Sequence, residues 1–266
     1  MPRGRGPDPP PAVYDARVDA YLDRIGYRGP REPSFATLAE IVGHHVVAIP
    51  FENLDVLLGR PPRLDVPSLE AKLVDARRGG YCYEHATLCA AALESLGFEV
   101  KRHSARVVMV TPRAQAPRTH MFLTAMGHVL DPGFGGLAPH APVPLDGTPA
   151  GHHRIVRERG EIALYHDDQR LWVSSLESDL PVDFQMANHY TATWPDSAFV
   201  QRMMLRAFTP DGQVRVMNRD VTIIRHGDTV THQLADRAEL AALLREHFGF
   251  DLDVSSLRVP TIPEWT

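Results

Sequence analysis

Cysteine is nearly absent from this 266-residue chain, which has only Cys82 and Cys89. The two lie seven residues apart, and on one helix that is a separation of two turns, which disulfide geometry does not span, so neither is read as a cross-link. Basic charge is in deficit too: 28 Lys and Arg against 33 Asp and Glu leave a net charge of −5, with a pI near 6.3. Nucleic-acid binding rests on a basic surface, so nucleic acid is set aside as a main partner. No run approaches the ~18 consecutive apolar residues of a membrane span, and the opening MPRGRGPDPPPAV lacks the apolar stretch of a signal peptide. The expectation is a soluble, cytoplasmic protein. Lysine is scarce as well, with Lys72 and Lys101 the only two among the 28 basic residues, and no function follows from that.

What is present points to an ordinary globular protein: 44% apolar and 23% charged residues exclude disorder of the whole chain. Prolines gather at 2–11, 61–67 and 132–149, marking loops and joints, and residues 1–14 read as a mobile Pro-rich arm. From a possible cap at Asp15, apolar residues Val18, Leu22 and Ile25 recur at helical spacing up to Gly26. Phe35, Leu38, Ile41 and Val42 repeat the pattern behind Ser34. A third helix is expected from Ser68 through Leu73 and Val74, and a fourth from near Cys82 to Leu96, stopped by Gly97. After Gly97 the period shortens. RVVMV (106–110), HMFLTAM (120–126), RIVRE (154–158), EIALYH (161–166) and LWVSSLE (171–177) read as a β-meander closing into a barrel or sheet. VRVMN (214–218) and VTIIRHGDTVTHQL (221–234) add strands, the second turning at His226-Gly227-Asp228. A last helix starts on Asp236, with Glu239 three residues on, buries Leu240, Leu243, Leu244 and Phe248, and ends at Gly249.

The segment Arg77-Arg78-Gly79-Gly80-Tyr81-Cys82-Tyr83-Glu84-His85 sets a thiol directly behind two glycines at a helix start. Exposed N–H groups and the positive end of the helix dipole stabilise a thiolate there and can hold an oxyanion. Cys89, among Leu88, Ala92 and Leu93, reads as a small core residue. A reactive cysteine needs a base, and the base an orienting acceptor. Among the 14 histidines, His120 opens an alternating strand, and Asp131 lies in the next strand-like run, where antiparallel neighbours bring the two side by side. Spacing alone equally allows an ordinary strand histidine and a turn-forming aspartate before Pro132. Cys82, His85 and Cys89 also form C-x2-H-x3-C, but a structural zinc site needs a second complementary pair, so no metal is expected.

Four ordered motifs, IPFENLDVLLGR (49–60), RRGGYCYEH (77–85), THMFL (119–123) and DPGFGG (131–136), resemble the arylamine N-acetyltransferase family. The resemblance continues through WPDSAFV (194–200) and VRVMNRD (214–220), so it covers most of the chain. It implies an α+β fold with a cysteine-protease-like core. A helical domain (15–97) would carry the nucleophile, a central β-barrel-like domain (98–206) the His and Asp, and an α/β lid (207–266) would complete it. It further implies Cys82 as nucleophile, His120 as base and Asp131 as orienting acid. Acetyl-CoA would acylate the cysteine, and an arylamine or hydrazine would then take the acetyl group, a double displacement without metal. Thr119, Gly133, Gly135 and Gly136 match a stretch that approaches the cofactor, Phe51 and Phe134 match walls of the acceptor pocket, and Glu52 and Arg78 match a supporting ion pair. Two positions depart from the pattern. Ala86 stands where asparagine is common, which would remove a polar contact on the helix surface, and Pro132 stands where valine is usual, which would stiffen the loop behind Asp131. An amide-forming cyclase or hydrolase on the same triad, and a binding protein without turnover, are the alternatives. The physiological acceptor, acyl preference and oligomeric state leave no mark in the sequence.

Overall fold

Helices build the first third of the chain. The computed structural model describes residues 17–262 and 265; the arm over 1–14 and the Asp15 cap lie outside them. Helix α1 (Val18–Ile25) ends at Gly26, whose φ of 71° suits a residue without Cβ. Helix α2 (Phe35–Ala48) starts on Ser34, whose hydroxyl accepts the Thr37 N–H. The short strand β1 (Phe51–Glu52) and helix α3 (Leu54–Leu57) follow. Helix α4 (Val66–Leu69) runs on through a wide turn to Asp75. It begins ahead of the Ser68 start read from the sequence, because Asp65 is the cap and accepts the Ser68 N–H. Helix α5 (Cys82–Ser95) is almost wholly buried, and Leu88, Ala92 and Leu93 lock it against Leu38, Ile41, Leu69 and Leu73. A helix enclosed in the core is a closely packed mount for its first residue, Cys82.

The middle of the chain supplies a seven-stranded antiparallel sheet. Its strands are β2 (Lys101–Val107), β3 (Arg118–Ala125), β4 (His128–Leu130), β5 (Val143–Pro144), β6 (His153–Glu158), β7 (Glu161–His166) and β8 (Gln169–Ser174), in the order β5-β4-β3-β2-β8-β7-β6. The edge strands β5 and β6 come together, so the sheet nearly closes. Its inside holds Trp172 stacked on Phe122, centroids 4.3 Å apart, with Val129, Val143, Ile155 and Leu164. Helices α6 (Pro181–Thr193) and α7 (Ala198–Gln201) then return to the helical layer, where α6 buries Phe184 and Ala192. A second sheet combines β1 with β9 (Met204–Thr209), β10 (Gly212–Met217), β11 (Asp220–Arg225) and β12 (Asp228–Gln233). Helix α8 (Arg237–Leu243) packs Leu240 and Leu243 on it, and the wide turn that follows adds Leu244 and Phe248. Asp236 caps α8 through the Glu239 N–H, and Gly249 closes the following turn at φ 76°.

Mixed helix and sheet with a nearly closed barrel-like layer is the expected fold class, but some elements differ from the reading. β2 spans 101–107, earlier than RVVMV, because the strand bulges between Ala105 and Arg106 and Val110 is out in solvent, 91% exposed. β8 stops at Ser174 because Leu176 adopts a left-handed φ of 61°. Helix α6 was not anticipated: its exposed face carries Val182, Met186 and Tyr190, which erases the amphipathic signal. Strand β9 crosses the expected boundary at 206 and pairs with β1, placing Phe51 opposite Arg206 and Glu52 opposite Leu205.

Candidate active site

Cys82 is the first residue of α5, behind a loop that two close approaches hold in place. The Glu84 carboxylate accepts the Tyr81 N–H at 3.0 Å, and the Gly80 carbonyl accepts the Glu52 N–H at 2.8 Å. The N–H groups of Cys82 and Tyr83 open the helix, where no preceding turn supplies acceptors. The thiol, in a residue 2% exposed, points at the Thr119 carbonyl 3.8 Å away, so β3 delivers Thr119 and His120 to it.

His120 Nε2 meets both oxygens of Asp131, at 3.0 and 2.9 Å, and Trp172 Nε1–H donates to Oδ2 of the same carboxylate at 2.8 Å. Asp131 is fully buried, and these donors meet its charge. With Nε2 engaged, the ring's other nitrogen is the one left to face Cys82, whose neighbourhood adds to what holds a proton on His120. Burial pulls the imidazolium toward losing its proton, but the Asp131 charge and hydrogen bond, with Cys82 adding to them, raise its pKa to about 10. Cys89 is the opposite case, fully enclosed, with burial pushing its thiol up to about 12.

The loop after Asp131 closes over the thiol. A Cβ on Gly133 would lie 2.6 Å from the Cys82 Cα, so only glycine fits, whereas one on Gly136 would meet nothing nearer than the Arg206 Cδ at 4.0 Å. Gly135, at φ 64°, lies against the Phe51 ring, and Phe134 stands edge-on to His120, centroids 5.0 Å apart. Pro132 is buried, and the contacts of Asp131 and Gly133 on either side of it are intact. Ala86 is fully buried in the helical core, so it removes no polar contact from a helix surface. Cys82, His120, Asp131, Thr119, Gly133, Gly135, Phe51 and Phe134 therefore meet, and Gly136 sits at the exposed margin.

Beneath the loop lies a charge cluster. Arg78 bridges Glu52 at 2.6 Å and Asp55 at 2.7 Å, and Lys72 reaches Asp55 and Glu84, both at 2.7 Å. Burial and the Glu52 charge, opposed by Lys72, leave Glu84 raised to about 7. Burial alone would lower Lys72, but Glu52, Glu84 and Asp55 outweigh it and hold the ammonium above its ordinary pKa. A second support is an uncharged chain. Tyr21 OH meets His45 Nδ1 at 2.8 Å, His45 Nε2 meets His85 Nδ1 at 2.9 Å, and His85 Nε2 lies 3.1 Å from the carbonyls of both Pro50 and Gly80. Carbonyls only accept, so every proton in the chain is assigned: His85 Nε2 donates, His45 Nε2 donates, and Tyr21 donates. Burial keeps both rings neutral, His85 lowered to about 4 and His45 well below its usual value. This commits both nitrogens of His85, the histidine of the C-x2-H-x3-C spacing, to hydrogen bonds, and no metal-binding group is present among the described residues. Trp172, Lys72 and the Tyr21–His45 pair escaped the sequence reading because none belongs to a local motif. A single arginine among apolar neighbours, Arg206, was the one further signal available.

Known proteins carry the same arrangement of chain. The profile of the N-acetyltransferase family matches residues 34–257. An arylamine N-acetyltransferase of Escherichia coli is 36% identical over 251 residues, covering 89% of each chain. One of Mycobacterium tuberculosis is 38% identical over 253 residues, 88% of this chain and 89% of its own. The structure of the Mycobacterium marinum arylamine N-acetyltransferase in complex with CoA superposes with a TM-score of 0.81 at 34% identity, over 91% of this chain and 94% of that one. On the length and identity of these matches, the chain belongs to the arylamine N-acetyltransferase family.

Proposed function

We propose that this enzyme transfers the acetyl group of acetyl-CoA to the nitrogen of an arylamine or hydrazine through an acetyl-Cys82 intermediate, with His120 as proton carrier and Asp131 as its orienting acid. The observation that carries the reading is the buried line in which the Cys82 thiol meets β3 at the Thr119 carbonyl and the next residue, His120, bonds both oxygens of the fully buried Asp131.

An imidazolium beside the sulfur is the counter-charge that a thiolate requires. The thiolate attacks the thioester carbonyl, forming the new S–C bond, while the helix-opening N–H groups of Cys82 and Tyr83 are positioned to receive the oxyanion. The CoA sulfur leaves and takes the His120 proton. Acetylation cancels the sulfur charge, one of the groups that hold the proton on His120, so the ring becomes a competent base. The amine nitrogen then attacks the acyl carbon, His120 accepts its proton, and expulsion of the cysteine sulfur restores the starting pair. Phe51 and Phe134 supply flat apolar walls suited to an aromatic acceptor, and Thr119 with Gly133, Gly135 and Gly136 forms the rim along which the CoA arm would pass. No helix among the described residues is long and apolar enough to cross a membrane, in keeping with a cytoplasmic site of action.

Intact-protein mass tests the proposal. Wild type mixed with acetyl-CoA gains one acetyl group, and an arylamine or hydrazine discharges it; Cys82→Ala gains none, and Cys89→Ala behaves as wild type. Acetylation in Cys82→Ala, or equal loss in both variants, overturns the assignment of nucleophile. Discharge by water alone would point to the hydrolase, and a folded protein that is never acylated to a binding role.

A further inference from the structure

We infer that Arg206 is an anion-recognising residue of the acceptor pocket, selecting aromatic amines that carry a carboxylate or a similar small planar anion on the ring. The inference rests on the acetyl-transfer reading above and adds the class of acceptor.

Arg206 is 5% exposed, yet its Nε is buried without a hydrogen-bond partner. Among the described residues no carboxylate offsets it: burial first, then the neighbouring Arg215, lower its pKa to about 9, which leaves it charged at neutral pH. An enclosed, unpaired cation is costly, and proteins rarely keep one without a ligand or partner to meet it. What it does have is an aromatic floor. Its guanidinium lies over the Phe208 ring, 3.6 Å from the centroid, and His140 stands edge-on to that ring at 4.4 Å. Burial, followed by the Arg206 charge, lowers the His140 pKa, so no second cation competes there.

The position faces the active site. Phe51 and Arg206 are directly opposed in the β1–β9 ladder, so their side chains rise from the same face of the sheet. The alternate β9 residues Leu205 and Ala207 go into the lid core. The Phe51 ring lies parallel to that of His85, 6.5 Å away and three residues after Cys82, and Gly136, in the loop over the thiol, comes close to the stem of Arg206, where a Cβ would lie 4.0 Å from Cδ. A guanidinium laid on one ring, beside a pocket walled by another, is a slot for a flat ring with an anionic substituent. The depth of burial favours a compact carboxylate over the hydrated phosphates of CoA.

The test compares 4-aminobenzoate with its neutral methyl ester as acceptors, in wild type, Arg206→Met and Arg206→Lys, alongside equilibrium binding of benzoate and benzamide with no acetyl-CoA present. The kcat/KM preference for the acid falls about 10- to 100-fold in Arg206→Met, through KM, and is partly restored in Arg206→Lys. Benzoate binding falls in parallel while benzamide binding does not, and ligand-free Arg206→Met melts no lower than wild type. An unchanged acid-to-ester ratio, or a loss confined to acetyl-CoA affinity, overturns the inference. Should Arg206→Met not fold, the Arg206→Lys ratio decides alone. Benzoate binding is independent of turnover, so it survives even if the transfer reaction itself is disproved.

Discussion

Replacing Asp131 with asparagine keeps the shape of the carboxylate and removes its charge, which isolates what that charge does to His120. The amide oxygen at the Oδ2 position still accepts from His120 Nε2 and Trp172 Nε1, contacts of 2.9 and 2.8 Å in the native protein. The imidazolium, however, loses the largest contribution holding its pKa at about 10, while burial goes on pulling it down. A return to the ordinary value of about 6.5 is a fall of ~3.5 units, or ~5 kcal/mol. At pH 8 the ring is then charged in about 3% of molecules rather than nearly all, roughly a 30-fold drop in the form that pairs with a thiolate. Linkage fixes the sign for stability. Because the folded pKa lies above the unfolded one, the His120 proton stabilises the wild type fully below pH 6.5, and that stabilisation is lost as pH climbs to about 10. The gap between wild type and Asp131→Asn in urea unfolding therefore narrows by several kcal/mol from pH 6 to pH 10, the other histidines cancelling in the comparison. Histidine-labelled NMR titration reads the ring directly. Parallel stability curves, or a His120 that titrates near 6.5 in the wild type, refute the reasoning.

Two further outcomes follow from packing and charge. Gly133→Ala drives a methyl group to 2.6 Å from the Cys82 Cα, so melting temperature and the rate of Cys82 acetylation both fall, whereas Gly136→Ala, with 4.0 Å of clearance, leaves the melting temperature unchanged. Lys72→Met leaves the buried Glu84 without a counter-charge, while Glu52 and Asp55 keep Arg78, and costs ~3–5 kcal/mol in denaturant unfolding, whereas Lys101→Met, at a side chain 61% exposed, costs under ~0.5 kcal/mol.

Much of this was legible in the chain because local rules carried it. Ser34, Gly26, Asp236 and Gly249 fixed helix ends through caps and left-handed turns, and EIALYH matched β7 residue for residue because turn residues, Arg159-Gly160 before it and Asp167-Asp168 after it, bound a short apolar run. The three residues proposed for catalysis were legible through ordered motifs. Residues that act across the fold left no such trace. Trp172 reads as a strand aromatic until its indole reaches Asp131, and β9 looks too short and mixed to be a strand until β1, some 150 residues earlier, pairs with it. Helix α6 failed for a different reason, since its exposed apolar residues contradict the rule by which surface helices are found.

The chain of Tyr21, His45 and His85 imposes a grammar on the sequence. It begins with a group that must give a proton and ends on two carbonyls that must take one, so each ring between them has a single permitted orientation. No member can drift alone. A change at position 45 leaves a nitrogen of His85 without its donor, and a change at 85 takes one donor from each carbonyl at the base of the cysteine loop, leaving the Gly80 carbonyl to the Glu52 N–H and the Pro50 carbonyl to the Gly80 N–H. Positions 21, 45 and 85, spread over three helices, are therefore bound by one set of proton assignments, and a substitution at any of them leaves Gly80 to be held by its backbone bonds to Glu52 and Pro50.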